Sequence, residues 1–192
     1  MPLILTSGPA AEPITLEEAK LHCRVDGDAE DMLIASLILA ARLHVERSLD
    51  LALISQNWSL YLDRWPDAPY VELPLAPLIG IDAVRLYSPS DSYMTLDPGL
   101  FIADKASRRP RLALNNGQVW TVPGRAVNGI EIAFTAGFGE TADDIPMPLR
   151  LAVRMLVAHW YEAREPVLLG ETADPVPETV ARLIAPYRSV KL

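Results

Sequence analysis

The sequence predicts an α+β fold, with a helical frame supplied by both chain ends and a central antiparallel, β-rich insertion. Three observations predict it. Apolar residues recur at three-to-four spacing over 29–49 and again over 148–164, the signature of amphipathic helices. Between these blocks the period falls to two, as in half-buried strands. Neither helical face is satisfied alone, so the helices before and after the insertion must meet. The expected parts are 1–55, an N-terminal helical part; 56–140, the insertion; and 141–192, C-terminal helices and a tail that complete the helical part.

Residues 2–13 read as an extended lead-in of small residues and prolines. Thr15 and Glu18 have capping-box spacing, in which each side chain accepts from the other's backbone N–H. The helix they open should reach Cys23 or Arg24, where Asp26-Gly27-Asp28 breaks it. Asp28 or Asp26 is the expected cap of the next helix, over 29–49, with Glu30 and Asp31 in its first turn. Leu33, Leu37, Ala40, Ala41, Val45 and Leu49 form its expected buried stripe. Ile34, Ile38 and Leu39 widen that stripe beyond one core face, which predicts a neighbouring subunit as cover. His44 and Arg47 lie near its end, where positive charge suits the helix dipole.

Trp58, Leu60 and Leu62 alternate with Ser59, Tyr61 and Asp63 in the first strand of the insertion. Further strands are expected at 70–73, 81–87, 93–96, 100–103, 111–114, 118–122 and 129–136. Asn116-Gly117 marks a hairpin turn, because both residues tolerate positive φ. Gly137-Phe138-Gly139 is read as turn punctuation, with no Lys and Ser/Thr after it to make a phosphate loop. Pro146 and Pro148 suit the first turn of a helix over 148–164. Its stripe is Leu149, Ala152, Val153, Leu156, Val157 and Trp160, with Tyr161 on another face. A last short helix is expected over 178–185, followed by a basic tail.

Half of the 192 residues are hydrophobic, enough for a packed core, and the net charge is -8. Such a chain does not grip nucleic acid by neutralising phosphates, although like charge suits a passage through which DNA slides. One cysteine, Cys23, excludes an internal disulfide and a thiolate zinc site. It reads as a small apolar residue. No signal-peptide pattern stands at the start, and the longest apolar stretch, 32–43, is too short to span a bilayer.

Chemistry is sparse. His159 and Glu162 share a helix face that Glu165 approaches, but no third ligand is indicated, and His22 with Asp26 is no stronger. Asp143 and Asp144 read as helix lead-in carboxylates, without the apolar pocket and partner that acid–base work needs. Lys105, Arg108, Arg109 and Arg111 form a basic cluster best read as a solvated hairpin loop. The expectation is therefore no enzyme, no cofactor and no metal. Trp58, Trp65, Trp120 and Trp160, with Tyr61, Tyr70 and Tyr161, are core or interface anchors.

Both ends carry a recognisable frame. Ile14-Thr15-Leu16-Glu17-Glu18-Ala19-Lys20, the acidic turn over 26–31 and the helix through Ala41, Val45 and Glu46 resemble the start of phage head–tail connector (adaptor) proteins. The proline-led 145–148, Leu156-Val157-Ala158-His159-Trp160-Tyr161-Glu162, Arg164, and the ending from Val176-Pro177 through Leu183 to Tyr187-Arg188 resemble their close. Such proteins also occur in phage-derived gene transfer agents. The frame covers roughly half the chain, and the insertion resembles that of longer members.

The resemblance implies a homo-oligomeric ring, twelvefold, docked under the portal protein and joining the capsid to a neck stopper or tail component. DNA would pass through its lumen with transient, non-specific contact, and no membrane is involved. It implies synthesis in the bacterial cytoplasm and incorporation into the particle neck. The portal-binding segment would be 181–192, through Arg182, Tyr187, Arg188, Lys191 and Leu192. Ring closure would be heterologous, through Leu39, Leu43 and Tyr161. The alternatives are another neck or tail-completion protein, or a small acidic hydrolase.

Overall fold

The helical frame begins with α1, Leu16–Cys23, in a computed structural model that describes residues 1–163 and 176–188. The capping box is present: Glu18 N–H donates to Thr15 Oγ1 at 3.1 Å, and Thr15 N–H to Glu18 Oε2 at 2.8 Å. α1 stops at Arg24, whose φ of 55° is left-handed. α2, Asp31–Leu49, starts two residues later than the sequence suggested, with Glu30 at its N-cap and no side-chain cap. Neither Asp26 nor Asp28 caps it. Asp31 N–H bonds the Asp28 carbonyl at 3.2 Å, and this turn keeps 28–30 out of the helix.

The buried stripe of α2 is Ile34, Ile38, Ala41, Val45 and Leu49. The expected stripe was out of phase over its first half: Leu33 and Ala40 are exposed and Leu37 is half-buried. Both faces there are apolar, so periodicity alone did not choose between them. α3, Met147–Glu162, buries Leu149, Ala152, Val153, Leu156 and Val157, while Trp160 is only half-buried. α4, Glu178–Ile184, buries Val180 and Ile184. α2 packs on α3, α1 packs on both, and α4 packs on α3. Each fully buried aliphatic side chain contributes about 1.5–3 kcal/mol of hydrophobic stabilisation before entropy is counted. Together, 11–54 and 139–192 form one compact unit, so the two ends do meet.

A second unit holds Met1–Ala10 and Ser55–Phe138. Its strands are β1 (Leu3–Ser7), β2 (Gln56–Leu62), β3 (Tyr70–Glu72), β4 (Leu78–Tyr87), β5 (Tyr93–Thr95), β6 (Phe101–Asp104), β7 (Arg111–Leu114) and β8 (Ile130–Ala136). They form an antiparallel five-stranded sheet, β1-β2-β8-β4-β5, and an antiparallel three-stranded sheet, β3-β7-β6. β8 lies between β2 and β4. Its Ile130, Ile132 and Phe134 are fully buried and oppose Leu62, Leu60 and Trp58.

Two features of this unit differ from the sequence expectation. The lead-in contains a strand: Leu3 pairs with Leu60 and Leu5 with Trp58, which puts the first ten residues in the sheet unit. No strand forms over 118–122. β7 is already paired with β3 on one side and β6 on the other, so the chain leaving the Asn116-Gly117 turn cannot pair back onto β7. Within that turn only Gly117 has positive φ, 79°. Among the described residues no helix is long and apolar enough to cross a membrane.

Candidate functional site

The Glu18 carboxylate carries more than the cap. Its Oε1 accepts from Arg150 Nη2 at 3.1 Å and Arg154 Nη2 at 3.2 Å, which ties α1 to α3. Arg150 also donates from Nε to the Pro13 carbonyl and from Nη1 to Asp143. Residues from the two recognisable blocks thus lock one another. Asp144 accepts from the Thr141 N–H and hydroxyl, and these bonds hold its carboxyl below the usual aspartate range. Both aspartates are therefore structural partners of the helix entry, as their position suggested.

A second cluster was not legible in the sequence. Arg42 and Glu46 of α2 are 5 % and 7 % exposed and bond each other at 2.9 Å. Glu46 Oε1 also accepts the Leu53 N–H, and Arg42 Nε donates to Glu12. Burial opposes the Arg42 charge, but the Glu12 and Glu46 carboxylates outweigh it and hold its pKa above the ordinary value. The cluster closes the C-terminal end of α2 onto the chain that follows it.

The face of α2 turned away from this core is uncharged from Met32 to Ala40. Met32, Leu33 and Leu39 are 87 %, 41 % and 43 % exposed. Further along, Ala40, Leu43, His44, Arg47, Ser48 and Trp160 line an open groove of ≈ 560 Å³. His44 meets Trp160 edge-on, ring centres 5.8 Å apart. Of the expected contact residues, Leu39 is exposed on α2 and Leu43 lines the groove. The Tyr161 hydroxyl bonds the Glu30 carboxylate, fastening α3 to the start of α2. Exposed apolar surface of this kind marks interaction sites.

Of the C-terminal residues, Arg182 pairs with Glu178 at 2.6 Å in an exposed i,i+4 bridge. Tyr187 is half-buried at the end of a 3-10 turn, Ala185–Tyr187, and Arg188 is exposed. Lys191 and Leu192 lie outside the described residues, as do Arg164 and Glu165.

In the sheet unit Glu131 is 5 % exposed and was also missed, because a lone Glu between two isoleucines reads as solvent-facing. It accepts from Ser59 Oγ at 2.8 Å, Arg85 Nη1 at 3.0 Å and the Tyr87 hydroxyl at 2.7 Å. Burial opposes its charge, but the bonds from Tyr87, Ser59 and Arg85 prevail and hold its carboxyl below the ordinary 4.5. Burial, then the bond to Glu131, pushes the Tyr87 hydroxyl up to about 12. The arrangement cross-links β2, β8 and β4. All three donors point at one carboxylate. Trp65 and Trp120 stack at 4.0 Å and anchor the segment after β7.

In the basic cluster, Arg111 pairs with Asp104 at 2.7 Å and Arg109 lies 3.8 Å from Glu72. Among the described residues no group of three or more His, Cys, Asp or Glu is placed to hold a metal ion.

Comparisons with known proteins agree with the frame read from the chain ends. The family model described as Phage gp6-like head-tail connector protein matches residues 13–84. The chain is also similar to a chain in the neck of an empty GTA particle computed with C6 symmetry. Identity there is 28 %, 100 % of this chain and 97 % of that chain are covered, and the TM-score is 0.85. A chain of the virion of a native gene transfer agent particle matches at 29 % identity with the same coverage and a TM-score of 0.84. A chain in the neck of a native GTA particle computed with C12 symmetry matches at 29 % identity, again with that coverage, and a TM-score of 0.81. No curated protein sequence matches. The chain thus resembles the head–tail connectors and has the α+β fold of these neck chains over its whole length. Both findings support a structural neck or connector role.

Proposed function

We propose, from this resemblance to head–tail connectors, that the chain is a ring-forming adaptor that docks under a portal protein and joins the capsid to a neck stopper or tail component. The observation that carries the reading is the similarity over the full chain to a neck subunit placed under C12 symmetry. A twelvefold ring requires a heterologous contact, in which one patch of a subunit meets a different patch of the next. The uncharged outer face of α2, with Leu39 and Leu43, is the surface assigned to that contact, and Tyr161 braces it. DNA passes through the lumen, and the net charge of -8 keeps phosphates from adhering to the wall. The protein is made in the bacterial cytoplasm and incorporated into the particle neck. No catalytic step is assigned to it.

The C-terminal segment, with Arg182, Tyr187, Arg188, Lys191 and Leu192, is assigned to the portal. Ile184 is a core residue of α4, 2 % exposed, so deleting 181–192 would disturb the fold. Charge reversal is the cleaner perturbation. Arg188→Glu combined with Lys191→Glu should abolish co-sedimentation with the portal protein encoded beside this chain while leaving the circular dichroism spectrum unchanged. Full portal binding by that variant would remove the segment from the interface.

A further inference from the structure

The chain contains two Asn-Gly dipeptides, Asn116-Gly117 and Asn128-Gly129, and the structure treats them oppositely. We propose that Asn116 is a spontaneous modification site, converting to a mixture of isoaspartate and aspartate in the folded protein, and that Asn128 is protected. The inference is independent of the connector reading.

The reaction needs the backbone nitrogen of the following residue to reach the asparagine side-chain carbonyl carbon. That nitrogen attacks and gives up its proton to solvent, the leaving NH2 group takes a proton from solvent, and a five-membered succinimide forms as the amide C–N bond breaks and ammonia leaves. Water then adds to either succinimide carbonyl. Opening on one side restores the normal backbone with an aspartate. Opening on the other leaves isoaspartate, with one extra carbon in the main chain. No oxidant or reductant is involved, and the only co-reactant is water. The peptide plane between the two residues must rotate freely, and the following residue must not crowd the approach.

Asn116 meets these conditions. Asn115, Asn116, Gly117 and Gln118 are all exposed. Gly117 sits at φ 79°, and a Cβ placed on it would meet nothing within 4 Å, so the approach to its nitrogen is open. The turn is closed around the pair rather than through it. Asn115 Oδ1 accepts the Asn116 N–H, and the Asn115 carbonyl accepts the Gln118 N–H. Among the described residues the Asn116 side chain and the Gly117 N–H make no hydrogen bond, so the two reacting groups can turn toward each other.

Asn128 differs in burial and in how its backbone is held: it is half-buried, and Gly129 is buried. Its N–H is held by Asp63 Oδ1 at 2.7 Å. Its carbonyl, which must swing as the plane rotates, accepts from Arg125 Nε at 3.1 Å and Nη2 at 2.8 Å. The Gly129 carbonyl is held by the Tyr87 N–H at 2.9 Å. Gly129 is so enclosed that a Cβ would lie 2.4 Å from the Arg125 carbonyl oxygen and 2.8 Å from Pro123 Cβ. Rotation would break the charge-assisted pair from Arg125, the stronger kind of hydrogen bond.

The experiment is to hold the full-length protein at mildly alkaline pH in heavy-oxygen water and follow both peptides by digestion and mass spectrometry, with an isoaspartyl methyltransferase assay. Asn116 should convert with uptake of one solvent oxygen, mainly to isoaspartate. Its rate should exceed that of Asn128 by about tenfold or more, a barrier difference of about 1.4 kcal/mol. In denaturant both should convert at similar rates, which places the selectivity in the fold. Asn116→Gln should abolish the isoaspartate and the uptake of solvent oxygen in the peptide that carries residue 116. Equal rates at the two sites while folded, or an unchanged Asn116 peptide, would overturn the proposal.

Discussion

Replacing Glu18 by alanine removes a side chain that ties the two ends of the helical frame together. Three bonds are lost, and each has a magnitude. Thr15 Oγ1 still accepts the N–H of residue 18, so only the reciprocal half of the capping box goes, about 0.5 kcal/mol. Hydrogen bonds to charged groups are worth about 1.5–3 kcal/mol each. Glu18 is a third exposed and solvent screens it, so we take about 1 kcal/mol for each of the two arginines. Arg154 Nε is already buried without a partner, so the loss cannot be recovered there. The expected destabilisation is about 2.5 kcal/mol, with the Glu18–Arg150 coupling near 1 kcal/mol. Urea denaturation of wild type, Glu18→Ala, Arg150→Ala and the double variant measures both quantities, provided the slope is unchanged between variants. A loss below about 1 kcal/mol, or a coupling within about 0.3 kcal/mol of zero, would refute the reasoning, because the frame would then be held by apolar packing alone.

Other expectations follow from the same geometry. Glu131→Gln should cost about 1.5–3 kcal/mol, since the amide presents a donor to three donors. The carboxyl's pKa is depressed on folding, so its contribution is present above the ordinary value of 4.5 and is lost as pH falls through the folded value. Acid titrations of stability should therefore be shallower in the variant, and parallel curves would contradict the assignment. Glu46→Ala leaves the Arg42 guanidinium buried with one carboxylate fewer and should cost about 3 kcal/mol, read by thermal unfolding. Leu39→Asp with Leu43→Asp should leave the thermal midpoint within about 2 °C, since both lie outside the core, while abolishing ring formation seen by light scattering. Unchanged assembly would move the ring contact to another surface.

Local chemistry made much of this fold legible. Thr15 and Glu18 announced α1 because capping needs only residues three apart. Leu149 to Val157 announced α3 because its other face is polar enough to fix the phase. α2 resisted the same treatment: Leu33 and Ile34 are equally apolar, and only the partners of Ile34 decide which is core. β1 was hidden because its pairing residue, Leu60, lies far along the chain. The strand expected at 118–122 failed because occupancy of both β7 edges is a tertiary fact. Glu46 and Glu131 were invisible for a related reason. A buried carboxylate is recognised by its donors, and those of Glu131 come from two other strands. Leu39, Leu43 and Tyr161 are readable as helix-face positions, whereas the bond from Tyr161 to Glu30 of its own chain is a tertiary fact.

In the proposed reading this chain closes into a ring on a portal. Native mass spectrometry of the protein, alone and mixed with the portal protein from the same gene neighbourhood, tests it most directly. A twelve-copy species is expected, either free or held on the portal. A chain that stays monomeric in both samples and ignores the portal would contradict it.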